Sequence, residues 1–67
     1  MRYEPGDRIT VTKEGHTFQG KSGTIRMVEP DIRALLFTAD LLHIEMDSGH
    51  SIRAFSVFTV KLGKEKP

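Results

Sequence analysis

The sequence predicts an all-β domain, a small five-stranded, strongly bent barrel with a short 3₁₀ turn before the last strand. Three observations carry this. Apolar and polar residues alternate in several short runs, the period of a half-buried strand. Polar stretches bearing glycine separate those runs, as turns require. The one instance of helical spacing, Ile32-Leu35-Leu36, covers a single turn.

A chain of 67 residues makes one domain. A domain this small buries only about 60% of its unfolded surface, so a compact apolar core must hold it. No cysteine is present, so neither disulfides nor thiolate metal sites contribute, and the composition fits a reducing cytoplasm. The core supply is Ile9, Val11, Ile25, Val28, Leu42, Ile44, Ile52, Phe58, Val60 and Leu62, with the methionines. No apolar run follows Arg2-Tyr3-Glu4, so no signal peptide is expected. No segment approaches the roughly 20 apolar residues of a membrane span.

Met1 to Glu4 is a lead-in to Pro5-Gly6-Asp7, a turn. Strand one is Arg8 to Lys13, with Ile9 and Val11 on one face and Arg8, Thr10 and Thr12 on the other. Glu14 to Ser22 is a polar loop holding Gly15 and Gly20, and Phe18 is its one large apolar group. Strand two is Thr24 to Val28, with Ile25 inward and Arg26 outward. Met27 and Val28 both face in only through a bulge. Pro30 lacks the N–H of a central strand and closes strand two. Asp31 is placed to cap one helical turn over Ile32 to Phe37, and an extended ribbon is the alternative. Strand three is Leu41 to Met46, with Leu42, Ile44 and Met46 inward. Asp47-Ser48-Gly49 is a three-residue hairpin loop with Gly49 in the left-handed position. Strand four is Ser51 to Phe55, with Ile52 and Ala54 inward. Ser56-Val57-Phe58 suits a 3₁₀ turn. Thr59 to Leu62 is the last strand, and Gly63 to Pro67 reads as a frayed charged tail.

Within this frame, Gly6-Asp7-Arg8-Ile9, Phe18-Gln19-Gly20-Lys21 and Gly23-Thr24-Ile25 form a strand, a polar loop, a glycine and a second strand. This pattern resembles the KOW motif of NusG-type transcription factors and several large-subunit ribosomal proteins. The resemblance covers about a third of the chain and implies an SH3-like barrel whose first loop contacts RNA. The longer stretch between strands two and three departs from the compact KOW pattern.

The resemblance directs attention to Lys13, His16, Phe18 and Lys21 around the first loop, and to Arg26 and Arg53 facing outward. Such cations neutralise phosphates, and a ring such as Phe18 stacks on a base. The alternative for these residues is an ordinary solvated surface, with Phe18 folded back as a lid on the core. The formal charge of +1 is far from the strongly basic balance of a dedicated nucleic-acid binder.

Catalytic chemistry has little support. His16, His43 and His50 have no ligand spacing, and His43 with Glu45 on one strand face falls short of the three or four ligands of a zinc site. Gly15 to Ser22 spells GxxxxGKS, the Walker A string. That motif needs a helix after it to hold phosphates, and the β-branched run here, stopped by Pro30, predicts a strand instead. Neither a cofactor nor a metal is expected.

Two functions remain. One is a KOW-like module that binds RNA or sits in a transcription or translation assembly. The other is an SH3-like protein-interaction subunit that docks on a larger complex and needs no basic surface. Ile32 to Leu41 bears on the second, because it holds five large apolar residues, Ile32, Leu35, Leu36, Phe37 and Leu41. A helical turn would bury Ile32, Leu35 and Leu36 and leave Phe37 off the stripe as a protein contact. An outward segment would offer Leu36 and Phe37 to a partner or a second copy.

Overall fold

The computed structural model describes residues 2–64. Five antiparallel strands form one sheet in the order β4-β3-β2-β1-β5. They are β1 (Asp7–Val11), β2 (Ser22–Arg33), β3 (Thr38–Met46), β4 (Ser51–Phe55) and β5 (Thr59–Lys64), with a 3₁₀ turn at Ser56–Phe58 before β5. The all-β class and the turn before the last strand are as the sequence predicts. β4 and β5 are the two ends of the sheet order. None of the helical residues described makes a segment long and apolar enough to cross a membrane.

The core is Ile9, Val11, Ile25, Leu42, Ile44, Met46 and Ala54, with Tyr3, Phe18, Val28 and Ile52 packed against it. Register explains this set. Ile25 pairs with Ile44, and Ile44 with Ile52. A bulge then falls between Ile25 and Met27, so Arg26 is the extra residue, Met27 pairs with His43, and Val28 pairs with Leu42. The bulge turns Val28 toward the core and leaves Met27 half-exposed. At the far end, Asp47-Ser48-Gly49 closes the β3–β4 hairpin, with Gly49 at φ 94° as its loop type demands.

Three expectations need correction. The first concerns the strand bounds around Pro30. β2 does not stop at Val28 but runs to Arg33, and β3 begins at Thr38 instead of Leu41. Pro30 and Asp31 lie in a second register shift, between Glu29 and Ile32, where a missing N–H costs little. β1 covers β2 only over Ser22 to Thr24, so Pro30 has no second neighbour to bond. Asp31 takes φ 56° there, and its N–H donates to Asp40 Oδ1 at 3.2 Å.

The second concerns Ile32 to Phe37, which is a ribbon and its turn and not a helical turn. Ile32 pairs with Ala39 and Arg33 with Thr38, and the Ala34 N–H donates to the Phe37 carbonyl at 2.7 Å. One helical turn satisfies few backbone groups, whereas extending an existing ladder satisfies them residue by residue. Leu35 and Leu36 therefore do not turn inward. Phe37 is the half-buried one: it stands edge-on to Phe55 at 5.2 Å and to Phe58 at 5.7 Å. Phe58, expected in the main core, belongs to this satellite cluster and is also only half-buried. Phe37→Ser is accordingly expected to lower stability by about 1–2 kcal/mol, read as a fall in melting temperature. An unchanged melting curve would mean that the three-ring cluster contributes nothing.

The third concerns β5. Val60 and Leu62 face outward and are about half exposed. Val60 pairs with Thr10, while Lys61 pairs with inward-facing Ile9. The strand also continues through Gly63 and Lys64; residues 65–67 of the expected tail lie outside the described residues. Asp7 accounts for the reversal. It opens β1, so that strand is Asp7–Val11 instead of Arg8 to Lys13, and its side chain is fully buried. Its Oδ1 lies 2.8 Å from Lys64 Nζ and its Oδ2 lies 3.1 Å from Lys61 Nζ. The Glu4 N–H donates to the same Oδ2 at 2.9 Å. A buried carboxylate needs cations, and the register of β5 supplies two. An inward charge also blunts an edge strand against pairing with other chains.

Burial pushes the Asp7 carboxyl up, but the Lys64 ammonium, the Glu4 N–H and Lys61 outweigh it and hold it below the ordinary carboxylate value of 3.8. A carboxyl depressed in the folded state stabilises above its unfolded value, and that contribution fades as pH falls through the folded one. Melting temperature should therefore drop as pH is lowered below about 4. Asp7→Asn should start less stable and show a shallower acid drop, and equal acid profiles would remove Asp7 from the account.

Candidate functional site

The β1–β2 loop folds back onto the sheet. The Gly20 N–H donates to the Val11 carbonyl at 2.8 Å, and the Val11 N–H donates to the Lys21 carbonyl at 3.0 Å. This closure seats Phe18 against the core, the lid arrangement. The Phe18 N–H donates to His16 Nδ1 at 3.0 Å, which fixes the first imidazole beside the ring. His50 approaches from the β3–β4 hairpin, so Phe18 lies between two imidazoles, 6.2 Å from His16 and 5.4 Å from His50. Around them opens a cleft of about 440 Å³ lined by Thr17, Phe18, Lys21, Met46, Asp47 and His50. His50 Nδ1 is 2.9 Å from Ser48 Oγ. His50 was not legible as a partner of this loop, because only the hairpin brings it there.

The six residues proposed for phosphate and base contact separate into three places. Phe18 and Lys21 line the cleft, and His16 stands beside the Phe18 ring outside its lining. Lys13 sits over the Phe58 ring at 4.6 Å from its centroid, a cation–π contact in the aromatic satellite. Arg26 and Arg53 line a shallow depression on the outer face with His43 and Glu45. Arg26 and His43 in that depression have carboxylate partners beside them. Arg26 Nε donates to Glu45 Oε1 at 2.9 Å, and His43 Nε2 is 2.5 Å from Glu29 Oε2, so His43 pairs across the bulge and not with Glu45. Nearby, Arg8 grips Asp47 with both terminal nitrogens at 2.6 and 2.7 Å. That guanidinium holds the Asp47 carboxyl below its ordinary range. Arg8 and Arg26 thus each have a carboxylate beside them, so the outer face is not a continuous basic stripe.

After Ser22 of the GxxxxGKS string comes β2, with Gly23, Thr24 and Ile25 all buried in the sheet. No helix N-terminus follows, so the phosphate cradle of a Walker A motif cannot form. Among the described residues no three His, Asp or Glu side chains converge as metal ligands would.

The other distinctive feature is the β2–β3 ribbon tip. Leu35 is 97% exposed and Leu36 is 89% exposed. They are the two central residues of a two-residue loop closed by the Ala34–Phe37 bond. Such loops favour glycine or asparagine with φ above zero, yet Asp31 is the one non-glycine residue described with positive φ. Leu35 and Leu36 thus satisfy neither turn preference nor burial. The phenylalanine cluster braces the base of this tip through Phe37.

Comparison with protein-family models, with curated proteins and with solved structures returns no match.

Proposed function

We propose that this chain is a small SH3-like docking module that works by inserting the Leu35–Leu36 tip into an apolar recess of a protein partner. The observation that supports this most is the near-complete exposure of two adjacent leucines on a braced hairpin. Small soluble domains avoid such apolar exposure unless a surface covers it. Sites where local sequence rules are broken without internal compensation are where function is usually found. The near-neutral charge fits a protein partner better than a polyanion. A photo-crosslinking side chain at Leu36 tests the reading in cell extract. It should give a product of discrete mass that a crosslinker at exposed Glu14 does not. The same products from both positions would refute it.

The second reading is a KOW-like RNA-associated module acting through the cleft. A specific observation favours it: the Phe18 ring, the His50 imidazole and the Lys21 side chain converge there. A base stacked near Phe18 with its phosphate at Lys21 would weaken steeply with salt. RNA binding that is absent or flat in salt leaves docking as the function, and a steep salt slope lost in Lys21→Glu would replace it.

A further inference from the structure

Resting on the docking reading, we propose that a second copy of this chain takes the Leu35–Leu36 tip, in the cleft between Phe18, Met46 and His50. The argument begins with shape. A two-residue hairpin tip is convex and narrow, so its receptor must be concave. The cleft is concave and has aromatic and thioether walls, and its volume of about 440 Å³ suits leucine side chains. Charge points the same way. The shank of the tip carries Asp31 and Asp40 against Arg33. The lining of the cleft carries one cation, Lys21, and its one carboxylate, Asp47, is already held by Arg8 through two bonds. A shank with one carboxylate in excess thus meets a cleft whose lysine is its one cation.

Geometry makes the contact intermolecular. The tip adjoins Thr38, where β3 begins, and the cleft adjoins Met46, where it ends. The eight residue steps of this strand place them roughly 25 Å apart. No chain can reach its own cleft, so each donates its tip to the next. Two copies exchanging tips about a twofold axis close as a pair; without that exchange the contact stays open. An open contact continues until a ring forms, or it propagates as an open string. A finger-in-cleft contact is small, so the affinity should be weak, with a Kd of about 10 μM to 1 mM.

Sedimentation of the full chain tests this. The average mass of the unsubstituted chain should rise steadily with concentration. A tip variant, Leu35→Ser with Leu36→Ser, should stay monomeric, as should a cleft variant, Ser48→Trp, which puts a ring across the mouth. All three positions are exposed, and an unchanged melting curve confirms that each variant folds. Lys21→Glu is a second cleft variant, expected to weaken association about tenfold. The decisive sample mixes the tip variant, whose cleft is intact, with the Ser48→Trp variant, whose tip is intact. This mixture should form one-to-one dimers and stop there. A chain that stays monomeric to about 1 mM, or a mixture that stays monomeric, overturns the proposal. So does association that survives both variants, or a monomer whose tip binds lipid vesicles or whose cleft binds RNA instead. A monomeric chain that still crosslinks from Leu36 to a different protein ends this inference alone; a monomer with no such crosslink ends the docking reading as well.

Discussion

Ile44→Ala is expected to cost about 2–5 kcal/mol, a large share of the stability of a domain this size. Ile44 is 2% exposed in the middle strand of the β2-β3-β4 ladder. It pairs inward with Ile25 on one side and Ile52 on the other, so its removal opens a cavity that neither neighbour can fill without leaving its own register. The cost combines the lost transfer energy of the removed carbons with that unfilled volume. Urea denaturation should show a lower midpoint with an unchanged slope. A midpoint shift equal to that of an exposed substitution such as Leu36→Ala would show that β3 is not the centre of the core.

Gly23→Ala is expected to cost about 3 kcal/mol, although it adds one methyl group. Gly23 lies between Ile9 of β1 and Met46 of β3. A Cβ there would meet the Glu45 carbonyl oxygen at 2.7 Å, Ile44 Cγ2 at 2.8 Å and the Met46 Cα at 2.9 Å. Two of these atoms are backbone, so relief requires β2 and β3 to move apart just where they pair. The glycine letters of this region suggest a turn, but Gly23 is buried within β2. It is needed for close approach of strands. A melting temperature for Gly23→Ala within a degree or two of the unsubstituted chain would mean that the strands separate at little cost.

Much of the fold was legible because the deciding signals were local. Ser51–Phe55 and the 3₁₀ turn at Ser56–Phe58 follow from an alternating run bounded by a glycine hairpin and a short polar break. What was not legible depended on distant partners. Alternation in β5 favours Val60 and Leu62 as the inward pair, and only the buried carboxylate of Asp7 selects Thr59 and Lys61 instead. Helical spacing at Ile32, Leu35 and Leu36 is real, yet one turn cannot compete with extension of an existing ladder. The candidate cleft was half legible: Phe18 as a lid and Lys21 at the loop were visible, whereas His50 arrives through the β3–β4 hairpin. Arg26 looked like an outward cation free for phosphate, but its partner Glu45 lies on another strand. The exposed tip was visible as an excess of apolar residues, while its shape depended on the bulge at Pro30 and Asp31.

The proposed working surface is the apolar tip, not the basic groups. One measurement compares two immobilised variants with the unsubstituted chain for retention of the partner crosslinked from Leu36, whether another protein or a second copy. The first variant replaces Leu35 and Leu36 with serine, and the second replaces Arg26 and Arg53 with glutamate. The first should lose the partner at least tenfold and the second should retain it. Loss with the arginine variant and full retention with the leucine variant would contradict the docking reading.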